Sequence, residues 1–504
     1  MSQVFFQKFY TSSSTTFGAQ SVYQTADGGY MVAASNLWYH SYDHPALIKF
    51  DSLGNKVWDV TYSSNYSFAP LTTSIQTSDS GYLFAGYASD NLYQIAIIKT
   101  DRGGNQLWAN TYGCAYDLYG YGVAQTFDGG YIISATMLDN GIKMGTLLIK
   151  IDAAGNVLWN RHFDNFMFSE VLQAADSGYV VSGHNYFSGS YVYTLTKTNS
   201  NGNYQWYKSY DGAFSTGTAE MFCQTHDHGF ILASHCDTLG AGLGDIVLIK
   251  TDSAGSVIWS KAYGGGNRDF PALIKELPDG GFIVSGKTRS FGLTYDVYLL
   301  RTDNTGHLLW SKTYGDAGHN EGCGDGNNVF LTADSGYVIA ATSDTISGST
   351  PMPKILLIKT DANGFSGCQE SNPATIETTV SLQGHSGILS EDSITLSAHA
   401  LPLTILYAGI SVTICESVGI EELKSSSPLT IYPSPTNRNV TIDIGQDAID
   451  VVQIYNSLGK KLSNFTYSTG KSETEIELSN LPAGIYLVRA TAGEKVWRGK
   501  VVKE

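Results

Sequence analysis

The chain has 504 residues and a formal charge of −16; such an acidic surface repels phosphate backbones and excludes nucleic acid as a partner class. No apolar run reaches the roughly 18 residues of a membrane-spanning helix, and 54 glycines beside 32 tyrosines indicate short strands and tight turns rather than long helices. The six cysteines form no C-x-x-C pair, which argues against a zinc ribbon or a thioredoxin-like centre. Cys368 and Cys415 bracket an irregular segment and are the pair expected to bridge in an oxidising compartment.

The chain opens on MSQVFFQKFY, which reads as a strand and lacks the basic stretch and apolar core of a secretory signal. A repeat follows. Its first anchor is a D-[GSH]-G-[YF] tetrapeptide led by Asp27, Asp79, Asp128, Asp176, Asp227, Asp279 and Asp334. Its second is a [KR]-x-[DN]-x-x-G turn led by Lys49, Lys99, Lys150, Lys197, Lys250, Arg301 and Lys359, followed in the first six copies by Trp58, Trp108, Trp159, Trp206, Trp259 and Trp310. Seven copies of about 50 residues are a propeller period.

Each copy predicts four strands, as at 21–25, 30–35, 46–50 and 56–62, joined by turns short enough for hairpins. One four-stranded meander cannot bury both faces, so neighbours must stack, with the recurrent Trp and Tyr between them. The seventh copy runs from its Asp361–Gly364 turn into Cys368 without a Trp-bearing strand, while Lys8-Phe9-Tyr10 matches Lys312-Thr313-Tyr314 of a complete copy. The expectation is an all-β, seven-bladed β-propeller over 1–368, closed by the N-terminal strand, which removes the open edges.

Strand alternation sends both repeated turns to one face and the variable loops to the other, where binding residues usually sit. These loops carry the candidate ligand-binding residues Trp38, Tyr39, Tyr42, Tyr66, Tyr116, Tyr119, Tyr121 and Tyr186. Aromatic side chains beside Asn, Asp and Ser suit stacking on sugars or packing against a protein partner; the competing reading is that they pack their own loops. The repeated Lys or Arg reads as a structural ion pair and the repeated Asp as a turn former. The loop at 315–328, with Asp316, Glu321 and Asp325, lacks the order of a calcium loop and reads as solvated. His162, His184, His226, His228 and His235 read as single solvated loop or turn residues. No nucleophile motif, metal site or cofactor site is identified.

Residues 369–427 read as a β-rich spacer running into a linker, and 428–504 as alternating strands with Gly and Pro turns, a small β-sandwich. The unit L-I-K-T-D-x-x-G-x-x-x-W, as at 248–259, resembles propeller repeats of large secreted Bacteroidetes proteins. It is more remotely similar to the repeat of quinoprotein dehydrogenases, a resemblance implying a quinone cofactor; the copy number and the absence of adjacent cysteines favour convergent turn chemistry instead. In the C-terminal segment, Ile431-Tyr432-Pro433-Ser434-Pro435, Val440-Thr441-Ile442, Ile454 to Gly459-Lys460, Leu481-Pro482-Ala483-Gly484-Ile485-Tyr486 and the terminal Lys500-Val501-Val502-Lys503 resemble, in order, the type A sorting domain of the type IX secretion system. The resemblance makes Pro433, Pro435, Gly459, Lys460, Gly484, Tyr486, Lys500 and Lys503 the sorting signal, with Ser434 where the family has Asn. It implies export by that machinery and release or attachment at the cell surface. The expected protein is a monomeric surface propeller that binds a glycan, polymer or protein; an extracellular enzyme using the same face and an envelope spacer are the alternatives.

Overall fold

The computed structural model describes residues 4–11, 17–36, 44–63, 67–68, 73–89, 91–164, 167–187, 190–214, 221–316, 319–323, 328–345, 353–367, 369–387, 389–406, 410–415, 429–445, 447–455, 461–466, 471–482, 484–492 and 495–503. Among them every regular element is a strand, and no helix is long and apolar enough to cross a membrane. Two compact units are separated between Gly419 and Ile420.

In the first unit the repeat builds antiparallel sheets of one design. After β1 (Phe6–Thr11), the first copy supplies β2 (Phe17–Gln24), β3 (Tyr30–Asn36), β4 (Pro45–Phe50) and β5 (Lys56–Ser63), paired in that order. The hairpin turns explain the anchors. Asp27 Oδ1 accepts the Gly29 amide at 3.0 Å, and Asp51 Oδ1 accepts the Leu53 and Asn55 amides at 2.9 and 2.7 Å. Gly54 sits at φ +78°, a conformation costly for other residues. The repeated cation lies across the sheet from the turn. Lys49–Asp27, Lys99–Asp79, Lys150–Asp128, Lys197–Asp176, Lys250–Asp227 and Lys359–Asp334 are ion pairs of 2.8–3.0 Å, and Arg301 meets Asp279 in the same way. Each of these ammonium groups is also satisfied by the carbonyl of the following residue, as Lys359 is by Thr360 at 2.8 Å. A buried cation is tolerable only with such partners.

Successive copies share apolar cores. Tyr62 of the first copy packs with Phe84 and Ile98 of the second, and Phe163 of the third with Val181 of the fourth. Strand-end tyrosines reach across to the next copy. Tyr112 donates to Gly155 O at 2.7 Å, Tyr210 to Gly255 O at 2.9 Å and Tyr314 to Gly364 O at 2.6 Å, each on the turn glycine of the next copy. The third copy has Phe163 at this position and so no hydroxyl to donate.

β1 pairs antiparallel with Lys354–Lys359 of the seventh copy, in a register from Phe6↔Lys359 to Tyr10↔Ile355. Its Tyr10 hydroxyl donates to Gly54 O of the first copy. One core cluster unites Phe6 and Tyr10 with Val32 and Ile48 of the first copy and Val338 and Leu357 of the seventh.

The segment after 368 adds an outermost strand to one sheet after another, in reverse chain order. Glu370–Ser371 pairs with Leu308–Tyr314, Ile376–Thr379 with Val257–Gly264, Gly384–Gly387 with Tyr204–Phe214 and Glu391–Asp392 with Val157–Asp164. Ser397–Ala400 then pairs with Gln106–Gly113, Thr404–Leu406 with β5, and Ile410–Cys415 with β1. This is a belt of backbone hydrogen bonds. Leu382 and Leu401 anchor it in the cores of the sheets, and Glu377 binds Lys261 at 2.7 Å. The expected bridge involves Cys368, which lies outside the described residues.

In the second unit a three-stranded sheet (Thr430–Tyr432, Asn439–Asp443, Glu473–Glu477) and a four-stranded sheet (Lys461–Thr466, Val451–Tyr455, Gly484–Ala492, Lys495–Lys503) bury one common core around Val440, Ile454, Val488 and Val501. Tyr486 is buried and donates to Pro482 O at 2.6 Å. Ser434, the departure from the sorting pattern, accepts the Val502 amide at 3.1 Å and so ties the segment carrying Pro433 and Pro435 to the terminal strand. Gly484 lies opposite Lys503, and Leu487 opposite Lys500. Gly459 and Lys460 lie outside the described residues.

Candidate functional site

The variable-loop face carries two groups of side chains in the described residues. In the second and third copies, Tyr87 ends strand Tyr82–Ser89, Tyr93 opens Tyr93–Thr100 and Tyr119 lies near the start of Asp117–Gln125. Their rings form a triangle with centroids 4.8 Å (Tyr87–Tyr119), 4.8 Å (Tyr93–Tyr119) and 5.6 Å (Tyr87–Tyr93) apart. The Tyr93 amide donates to Asp117 Oδ1 at 2.9 Å, tying one loop to the next. Tyr93 and Tyr121 remain 36% and 38% exposed, so aromatic surface faces solvent on a rigid base.

Of the residues expected here, Tyr119 joins the triangle and Tyr121 is exposed beside it in the same strand, whereas Tyr116 packs against the core of its own sheets. Trp38, Tyr39, Tyr42 and Tyr66 lie outside the described residues, as does the side chain of Tyr186. Tyr87 and Tyr93 were missed because the connection between them is short and was not counted among the variable loops. Their placement at strand ends facing that connection was the available signal.

The second group lies where the fifth, sixth and seventh copies meet. His235 is fully buried, not solvated as its sequence position suggested: its ring stacks on Phe270 at 4.1 Å and its nitrogens reach Asp269 O at 2.8 Å and Asp237 Oδ1 at 3.1 Å. His162 is buried as well, with Nδ1 2.8 Å from Asp392 of the belt. In both cases the cover comes from a distant segment, which strand periodicity cannot reveal. Lys287 lies over the rings of Phe270 and Tyr295 at 5.4 and 5.5 Å.

Buried and half-buried carboxylates surround this group. Burial and then the charge of Asp269 push the Asp245 carboxyl up to about 6, and burial and then Asp316 push Asp296 up to about 6. Glu321, in the loop expected to be solvated, is 1% exposed. Its loss of water and then the charges of Asp316 and Asp296 push its carboxyl up to about 8, against a hydrogen bond from Ser343. Asp325 of that loop lies outside the described residues.

On the turn face, a recess of about 450 Å³ is lined by Cys223, Gln224, Thr225, His226, Lys275 and Glu276. Loss of water lowers the Lys275 ammonium to about 8 and raises the Glu170 carboxyl, with which it interacts electrostatically, to about 7. The Thr225 hydroxyl in this recess donates to Asp227 Oδ1 at 2.5 Å, within the turn that Lys250 also binds.

Sequence families account for both units. Residues 430–504 match the secretion system C-terminal sorting domain, so the chain is a substrate of the type IX machinery and is secreted and attached to the outer cell surface. No curated protein matches the chain. Solved structures similar to it include a protein of unknown function from Dyadobacter fermentans, with 10% identity, 70% of this chain and 98% of that one covered and a TM-score of 0.37. Another is the subtype N10 neuraminidase-like protein of A/little yellow-shouldered bat/Guatemala/060/2010, with 10% identity, 57% and 93% covered and a TM-score of 0.35. Residues 44–347, more than half the chain, match the family described as outer membrane protein assembly factor BamB. The chain therefore belongs to that family.

Proposed function

We propose that the chain is a seven-bladed β-propeller closed by β1, followed by a small β-sandwich, and that once displayed at the cell surface it binds a glycan or another hydroxyl-rich polymer through its variable-loop face. Ring closure is supported by the pairing of β1 with the seventh copy and by the core that the first and seventh copies share. It is also supported by the Gln24 side chain, which accepts the Ala333 amide at 2.7 Å just as Gln125 accepts that of Ser78. On this reading the propeller spans 1–368, the belt and linker 369–427 and the sorting sandwich 428–504, and the protein acts as a monomer.

The observation that carries the binding reading is the triangle of Tyr87, Tyr93 and Tyr119 beside exposed Tyr121. Flat aromatic surface suits the C–H faces of sugar rings, and the neighbouring Asp117 and tyrosine hydroxyls suit their polar edges. Because the rings support one another, little conformational entropy is lost on binding. A glycan array probed with the full chain tests it. The expected result is binding that falls at least about tenfold in Tyr93→Ala and in Tyr121→Ala, the loss of one well-packed aromatic contact. Wild-type protein that binds no glycan, while surface proteins compete for the same tyrosines, moves the reading to a protein partner.

A further inference from the structure

We propose that Asp296, Asp316, His319 and Glu321 form a site for one divalent transition ion of the Zn²⁺ or Mn²⁺ class, held between the sixth and seventh copies. Asp296 opens strand Asp296–Thr302, Asp316 follows strand Leu308–Tyr314, and His319 and Glu321 lie on His319–Gly322. One ligand atom each from Asp316, His319 and Glu321 lies within 4.8 Å of the others. Gly315 keeps the space between the copies open: a Cβ there would run into Asp296 Oδ1 and lie 2.9 Å from Glu321 Oε2.

Glu321 is the key side chain. Its backbone is fixed twice, by the hydrogen bond its N–H donates to Tyr295 O at 2.7 Å and by pairing with Ser343. Its Oε1 accepts the Ser343 hydroxyl at 3.1 Å, whereas Oε2 is buried without a hydrogen-bond partner. A buried carboxylate oxygen needs a donor, a proton or a metal ion. The basic neighbour Lys287 supplies none of these, because it faces the rings of Phe270 and Tyr295 and makes no ion pair with Asp296 or Glu321 among the described residues.

The fifth copy provides an internal control. Gly264, Asp245 and Asp269 hold the places of Gly315, Asp296 and Glu321, with Asp269 N bonded to Gly244 O as Glu321 N is to Tyr295 O. There Asp269 receives Ser290 Oγ at 2.8 Å, Gly265 N at 3.0 Å and the Thr288 hydroxyl, while Asp245 Oδ2 receives the Ala241 amide and Asp245 Oδ1 is left without a hydrogen-bond partner. In the sixth-to-seventh step Ser343 keeps the place of Thr288, but Asp316 stands where Gly265 does and His319, whose Nδ1 lies 2.8 Å from Asp316 Oδ1, joins it. Carboxylates plus an imidazole are a borderline donor set that favours Zn²⁺ or Mn²⁺ over Ca²⁺ or Mg²⁺. The ion bonds the His319 Nδ1 lone pair, and any proton held there leaves to solvent.

The test is metal binding by the full chain after treatment with a chelator, using ZnCl₂ and MnCl₂ as probes, with bound metal counted per chain and melting followed in parallel. The expected result is about one ion per chain, weakened at least about tenfold in Glu321→Gln and in His319→Ala, the scale expected when a metal centre loses a supporting group. His385→Ala, at an exposed belt position, leaves binding unchanged. The ion raises the melting temperature of wild type and not that of Glu321→Gln. Absence of binding at millimolar metal, binding of Ca²⁺ indifferent to His319→Ala, or undiminished binding in both site variants would overturn the proposal.

Discussion

The repeat body and the belt are both made of antiparallel strands, yet different forces hold them. Every residue of Phe230–Cys236 and Asp245–Thr251 is buried, while every residue of Ser397–Ala400 is exposed although all four pair with the neighbouring sheet. The body is assembled by side chains that each copy must supply at the same places, which imprints a period on the sequence. The belt is held largely by backbone hydrogen bonds, which any residue but proline can make, and by anchors such as Leu382, Leu401 and Glu377. Repetition is therefore legible in one region and silent in the other.

The largest expected effect comes from deleting residues 4–11. That removes the strand lying between Lys354–Lys359 and Ile410–Cys415, exposes two long edges, and should convert a monomer into aggregate, seen by size-exclusion chromatography. Within the belt, Leu401→Ala should cost about 2–5 kcal/mol in urea unfolding, the range for truncating a buried leucine, whereas His399→Ala on the exposed side should stay within about 0.5 kcal/mol. Equal effects would mean that the belt is not anchored at a few points.

Within the body, Tyr314→Phe removes the hydroxyl donated to Gly364 and leaves that carbonyl short of a donor, an expected loss of about 1 kcal/mol. Phe163→Tyr offers the third copy the missing hydroxyl and should be neutral or slightly stabilising. The smallest effect is that of pH. Hydrogen bonds from Thr25 and then Lys49 hold the Asp27 carboxyl at about 2. Partial burial pushes Asp79 and Asp227 up, and bonds from their lysines, threonines and turn amides more than reverse this, leaving both at about 2. The folded state thus holds fewer protons than the unfolded one between the ordinary value of 3.8 and about 2. The stabilisation is complete above 3.8, is lost as pH falls through 2, and is absent below. These carboxylates are exposed, so solvent screening limits each to about 0.5 kcal/mol. Asp27→Asn should therefore lower the urea midpoint slightly at pH 7 and not at pH 2.

The aromatic candidates divide in the same way. Tyr119 and Tyr121 were readable because they stand in a long connection rich in Tyr and Gly, but the triangle also needs Tyr87 and Tyr93 from a short hairpin of the preceding copy. Glu321 looked like one more acid in a Gly-rich loop. Its burial follows from Tyr295 and Ser343, which come from other strands and hold its backbone.

Sequence alone determined the strand class, the copy length, the turn chemistry of Asp27 and Gly54, the ion pairs across each sheet and the sorting domain, because each depends on contacts within one copy or one short motif. Only the tertiary structure decided which strand the belt covers, which histidines are buried and where the carboxylates converge. Those outcomes depend on pairing between residues far apart in the chain, as His162 with Asp392 and Lys261 with Glu377. Backbone pairing leaves no mark on composition from which such a partner can be inferred.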